Sequence, residues 1–95
     1  MDLDDLSNSI VDAIEAKKYD QAEMLCQRLL NEYPEVFDGH ERLAMLREAQ
    51  GRFQEAAEHY EKVLEMMKKN PDNVDQETIQ YITELRDQVL AQGTP

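Results

Sequence analysis

The chain has no tryptophan, and its 95 residues include only one cysteine, three glycines and three prolines. A single cysteine cannot form a disulfide within the chain, which fits a reducing compartment. So few glycines and prolines leave long stretches unbroken, so we expect a helix-rich chain. Apolar runs long enough to span a membrane are also missing. We therefore expect no transmembrane segment and a cytoplasmic location.

Basic residues are scarce too. The chain has 10 lysines and arginines in total and 21 aspartates and glutamates, which gives a formal net charge of −11. This charge repels nucleic-acid phosphates and anionic lipids, so we expect neither nucleic acid nor membrane as a partner. A basic protein or peptide fits such an acidic chain better. The length predicts one domain, residues 1–95.

What the sequence does contain is an internal repeat with a period of 34 residues. The corresponding residues of the two copies are Tyr19 and Phe53, Ala22 and Ala56, Cys26 and Tyr60, Leu29 and Val63, and Leu30 and Leu64. An aromatic residue, a small residue, a position held by Cys26 or Tyr60, and a closing apolar pair thus recur at fixed spacing. Such a period is typical of repeat proteins, whose units bury their apolar faces against one another.

Apolar residues at three- and four-residue steps predict five helices and no sheet. The predicted helices are 3–17, a second from Asp20 to Pro34, a third from Phe37 or Asp38 to Gln50, a fourth at 54–69 and a fifth at 74–91. Asp2 is expected to cap the first helix, Asp20 with Glu23 to cap the second, and Asn73 with Gln76 to cap the fifth.

Two further details follow from the same spacing. Gly51 is expected to end the third helix in a left-handed conformation. The apolar residues expected to pack from the fifth helix are Val74, Ile79, Tyr81, Ile82, Leu85, Val89 and Leu90.

The second copy resembles the tetratricopeptide repeat, a helix-turn-helix unit. It carries Leu43 and Ala44 on its first helix, and Phe53, Ala56 and Tyr60 around its second. The first copy matches well only in its second helix. The resemblance implies an all-α fold, a right-handed superhelical stack of antiparallel helix pairs. Its units would be 3–36 and 37–70, followed by a capping helix at 74–91.

The resemblance also implies a binding groove, because the first helices of such repeats line a concave surface. Carried over by position, its residues are Ser7, Val11, Ile14, Glu15, Asp38, Glu41, Met45, Glu48 and Ile82. This would be an apolar strip edged by carboxylates, suited to a peptide or amphipathic helix with basic flanks. For Val11 and Ile14, packing in the core is an alternative that the sequence leaves open.

We therefore expect a protein-interaction module, either an adaptor or scaffold or a small chaperone. The alternative is an assembly protein that forms a homodimer through the same apolar surface. No enzyme activity, cofactor or metal is expected. Glu55 and His59 share a helical face, but two ligands fall short of a zinc site, and a solvated pair is the simpler interpretation. Cys26 occupies the slot of Tyr60 and is expected to be a packing residue.

Overall fold

The computed structural model describes residues 2–93. Within this range the chain forms five α-helices: α1 (Leu3–Glu15), α2 (Tyr19–Glu32), α3 (Asp38–Ala49), α4 (Phe53–Lys69) and α5 (Gln76–Gln92). A 3-10 turn, Pro71–Asn73, separates α4 from α5, and no strand occurs between residues 2 and 93. The all-α prediction is confirmed. Residues 1, 94 and 95 of the predicted domain lie outside the described residues.

The turns that follow α1 and α3 have the same backbone hydrogen bonds, 34 residues apart. Lys18 donates its N–H to the carbonyl of Ala13, and Arg52 donates to Arg47, both at 2.8 Å. The residue just before each donor, Lys17 in the first turn and Gly51 in the second, adopts a left-handed conformation, with φ of 61° and 76°. This is the usual way to satisfy the last carbonyls of a helix. The repeat seen in the sequence is therefore also a repeat of backbone geometry.

Several predicted helix ends need correction. Because Lys17 is left-handed, α1 ends at Glu15 rather than at residue 17. α2 begins at Tyr19, so Asp20 lies inside its first turn and the predicted capping box is wrong. The cap predicted for α1 is confirmed, since the Asp5 N–H donates to the Asp2 carboxylate at 2.8 Å.

The start of α5 also differs from the prediction. Its N-cap is Asp75, whose carboxylate accepts a hydrogen bond from the Thr78 N–H at 2.8 Å. The predicted start at residue 74, with Asn73 as the cap, is therefore wrong. The 3-10 turn takes up the residues after α4, so α5 begins later and in a different register.

The buried apolar residues form two clusters. The first core cluster joins α1, α2 and α3 and contains Leu6, Ile10, Ala13, Ala22, Cys26, Leu29, Leu43 and Leu46. The second core cluster joins α3, α4 and α5 and contains Ala44, Ala56, Ala57, Tyr60, Val63, Leu64, Met67, Ile82 and Val89. α3 contributes to both clusters, and α5 covers α4. Within residues 2–93, no helix is long and apolar enough to cross a bilayer.

Small residues allow the helices to approach closely. Ala22, Ala44 and Ala56 are each fully buried. Gly39 of α3 lies so near α2 that an added Cβ would come within 2.6 Å of the Leu30 Cδ2 atom. Close-packed interiors leave little room for extra methylene groups, so these positions limit side-chain size.

We expect Ala56→Leu to lower the free energy of unfolding by about 1–3 kcal/mol, because the larger side chain overpacks the second core cluster. Urea denaturation measures this change. Glu58→Leu, at an exposed position of the same helix, is the matched control and should change stability by less than about 0.5 kcal/mol. Equal effects of the two substitutions would show that Ala56 is not a packing constraint.

Two histidines stack between α3 and α4. The rings of His40 and His59 have centroids 5.8 Å apart and are inclined by 25°. Burial lowers the pKa of both imidazoles, and the charges of His59 and Lys62 lower the pKa of His40 further. Arg47 lowers the pKa of His59, while Glu58, Glu55 and Glu23 oppose the change. The folded chain therefore favours both histidines in the neutral form.

This pair predicts a loss of stability in mild acid. Below the unfolded-chain pKa of 6.5 the unfolded state binds more protons than the folded state, so stability falls as pH falls. We expect Tm to drop between about pH 7.5 and 5.5. His40→Phe keeps a stacked ring but cannot be protonated, so its Tm should drop less over the same range. An equal drop in Tm for the unmodified protein and for His40→Phe would show that protonation of His40 does not cause the loss of stability.

Candidate functional site

The predicted groove residues do not all lie at the surface. Glu15 is exposed, and six others are half-buried: Val11, Ile14, Asp38, Glu41, Met45 and Glu48. Ser7 and Ile82 are buried, with 4% and 1% of their surface exposed. The two buried residues are out of reach of a partner, so the accessible surface comes mainly from α1 and α3.

Ile82 was placed in the groove, and the structure places it in the second core cluster. The reason is the altered register of α5 after the 3-10 turn. Tyr81, the next residue back, is 57% exposed, although the sequence pattern assigned it to the apolar face. Adjacent helix residues point about 100° apart, so a small error in register exchanges a buried residue for an exposed one.

Ser7 is buried beneath an arginine that the sequence reasoning passed over. Arg42 of α3 reaches across to α1, and its Nε donates to the Ser7 Oγ atom at 2.7 Å. Its Nη1 lies 2.9 Å from the Met45 Sδ atom and 3.8 Å from a carboxylate oxygen of Glu41. A cation therefore interrupts the apolar strip that was predicted between α1 and α3.

A sequence signal for Arg42 did exist. It lies four residues after Asp38 and three before Met45, so it shares a helical face with two predicted groove residues. The direction in which a long side chain extends is set by tertiary neighbours, however, and Ser7 of α1 supplies that neighbour.

The two apolar residues of α1 differ in their packing. Ile14 is half-buried and packs against the first core cluster, as in the core alternative considered for it. Val11 is half-buried. Ile14 therefore contributes to the stability of the first repeat as well as to its surface.

Carboxylates of α3 line the surface beside Met45. Glu41 is half-buried, and its burial raises the pKa of the carboxyl group, with Asp38 adding to the rise and Arg42 opposing it. A raised carboxyl pKa means that the charged form is poorly solvated and incompletely paired. This carboxylate would thus gain from a cation brought by a partner.

A second group of polar atoms joins α3, α4 and α5. The Tyr60 side chain is buried, and burial raises the pKa of its hydroxyl group, as do the charges of Glu48, Glu41 and Tyr81. The neighbouring Glu48 carboxylate therefore favours the protonated form of this hydroxyl group. Tyr81 of α5 and the two carboxylates of α3 thus all lie within electrostatic range of the Tyr60 hydroxyl. We call Glu41, Met45, Glu48 and Tyr81 the acidic surface.

The sequence was also compared with protein-family models, curated proteins and solved structures. Two family models described as tetratricopeptide repeat match the chain, one over residues 37–70 and one over residues 13–35. The matches follow one another along the chain, as two successive repeats do. The chain belongs to the tetratricopeptide repeat family. No significant match was found among curated proteins or among solved structures.

Tetratricopeptide repeats generally mediate protein–protein interactions. Membership therefore fixes the broad class of function, whereas the kind of partner must come from the chemistry of this chain. The matched repeat at 37–70 contains three residues of the acidic surface, Glu41, Met45 and Glu48.

The residues weighed as metal ligands in this tetratricopeptide repeat protein have other partners. Glu55 forms an ion pair with Arg52, and His59 stacks on His40. Cys26 is fully buried, and burial raises the pKa of its thiol to about 12. Its packing role is thereby confirmed. Across residues 2–93, no group of three or more His, Cys, Asp and Glu side chains is arranged to hold a metal ion.

We expect Arg42→Leu to destabilise this tetratricopeptide repeat protein by about 1–2 kcal/mol, because the buried Ser7 hydroxyl loses its donor. Urea denaturation measures the change. Arg28→Leu, which removes an exposed ion pair with Glu32, is the matched control and should cost less than about 1 kcal/mol.

A double variant separates the hydrogen bond from the loss of packing. Adding Ser7→Ala to Arg42→Leu removes the unpaired hydroxyl, so the double variant should lose less stability than the sum of the two single variants. Strict additivity would show that the contact between Arg42 and Ser7 contributes nothing.

Proposed function

We propose that this protein is an interaction module, an adaptor or small chaperone, that binds a basic amphipathic helix or peptide at the acidic surface. The family supports binding to proteins in general. The net charge of −11 supports a basic partner, because opposite charges speed encounter and select among partners.

The observation that carries this proposal is the burial of the Glu41 carboxylate without a full counter-charge. Its carboxylate is half-buried beside Met45, and burial raises its pKa despite the nearby Arg42. Arg42 is already shared among Ser7, Met45 and Glu41. A lysine or arginine of a partner would supply the missing counter-charge, while its apolar neighbours cover Met45.

The position of Arg42 also indicates on which side of α3 the partner binds. The guanidinium group bridges α1 and α3, so an apolar partner residue there would meet a cation. On the other side, Glu48 and the exposed ring of Tyr81 offer a carboxylate and an aromatic face. Both attract cations, the ring through its negatively charged face. The partner therefore lies chiefly between α3 and α5.

The first experiment uses a designed probe, a helix of about 18 residues with Leu on one face and Lys on the other. NMR titration of the Glu41 carboxyl gives its pKa with and without the probe. We expect the pKa to fall on binding, because a nearby cation favours the charged form. A pKa that stays the same or rises in the bound state would refute this use of Glu41.

Charge reversal then tests the surface. Glu41→Lys and Glu48→Lys should each weaken binding of the probe about tenfold, which is about 1.4 kcal/mol. Glu58→Lys, at an exposed position of α4, is the control for net charge and should weaken binding much less. Equal losses in all three variants would mean that only overall charge attracts the probe. Thermal unfolding of each variant verifies that the fold is intact.

A further inference from the structure

A cavity of about 550 Å³ lies at one end of the helix stack, where the α2–α3 and α4–α5 connections come together. Its lining residues are Glu35, Val36, Phe37, Asp38, Met66, Met67, Asn70 and Val74. Binding pockets for small ligands have volumes of about 300–1,000 Å³, so the cavity can hold one large side chain. Except for Asp38 at its edge, none of these residues was among the predicted groove residues.

Five of the eight side chains that line the cavity are apolar, and some of them are adaptable in shape. Val36 and Phe37 come from the α2–α3 connection, Met66 and Met67 from the last turn of α4, and Val74 from the segment before α5. Methionine side chains are flexible and polarisable, and they fit apolar groups of differing shape. Phe37 and Val74 also pack against the second core cluster, which gives the cavity a firm base.

The charged residues of the lining have one sign. Glu35 and Asp38 are acidic, Asn70 is neutral, and no lysine, arginine or histidine lines the cavity among the residues that the structure describes. A cavity with five apolar side chains and two carboxylates suits a large apolar side chain with a positively charged residue beside it. A free fatty acid or an acidic peptide would be repelled.

We infer that this cavity is a second docking site, which takes a large apolar side chain of another protein flanked by lysine or arginine. It is distinct from the acidic surface, although Asp38 lies at the edge of both. A partner that bridges the two sites would gain affinity through a raised effective concentration.

A second copy of this chain is a poorer occupant. Among residues 2–93, Tyr81 is the exposed aromatic residue, but Glu77 and Glu84 lie one turn away on either side. Met24 is 74% exposed, but Asp20 lies one turn before it, and Arg28, one turn after it, pairs with Glu32. Tyr19 follows two lysines, but its ring packs against the first core cluster.

The test uses the blocked peptide acetyl-Ala-Lys-Trp-Lys-Ala-amide. The chain has no tryptophan, so excitation at the long-wavelength edge of tryptophan absorption, where its four tyrosines do not absorb, gives emission from the peptide alone. Methyl-labelled methionine gives separate NMR signals for Met24, Met45, Met66 and Met67. We expect the tryptophan emission to shift to shorter wavelength and the Met66 and Met67 methyl signals to move, while Met24 stays fixed.

Two controls define the chemistry. Replacing both lysines of the peptide by glutamate should weaken binding at least about tenfold. Met66→Lys places a cation in the half-buried wall and should weaken binding similarly, while Met24→Lys should have no effect. Thermal unfolding establishes that both variants remain folded.

The outcomes distinguish this site from the acidic surface. Movement of Met45 without Met66 and Met67 would overturn the cavity site and leave the proposed function standing. Movement of Met66 and Met67 without Met45 would support the cavity independently of the acidic surface. Equal binding of the lysine and glutamate peptides, or a Met66→Lys variant that binds normally, would also overturn the inference.

Discussion

Helix α3 packs on two sides at once, and the rest of the structure depends on this. Leu43 and Leu46 belong to the first core cluster, whereas Ala44 belongs to the second. Adjacent residues of a helix point about 100° apart, so a leucine next to an alanine is enough to serve two neighbouring layers. Ala44 shares the second core cluster with Ala56 of α4, and the small size of both residues lets the two helices pack closely.

Packing on two sides leaves a third side of α3 free for polar groups. Asp38, Glu41, Met45 and Glu48 recur at three- and four-residue steps and are all half-buried. Burial raises the pKa of Glu41, and the charges of Glu41 and Glu48 raise the pKa of the Tyr60 hydroxyl. The Glu41 carboxylate is thus held where water solvates it poorly. That condition is costly for the isolated chain and favourable for a cationic partner.

Much of the fold could be predicted because the repeat depends on sequence patterns between residues that are close together in the chain. The period of 34 residues, the apolar faces and the glycine at residue 51 each depend on nearby residues and on helical geometry. The register of α5 could not be predicted in the same way. The 3-10 turn at Pro71–Asn73 breaks the period, so Ile82 is buried rather than in the groove, and Tyr81 is exposed although the apolar pattern included it. Arg42 was missed because its direction depends on Ser7, which lies 35 residues away in the sequence.

We expect the acidic surface to remain open until another protein binds it. The most direct test is the molar mass in solution, measured by light scattering over a wide range of protein concentration. We expect a mass of 11.1 kDa, that of one chain, at every concentration. A mass that rises to twice this value, and falls back to one chain in the Met45→Glu variant, would contradict it, because the surface would then be occupied by a second copy.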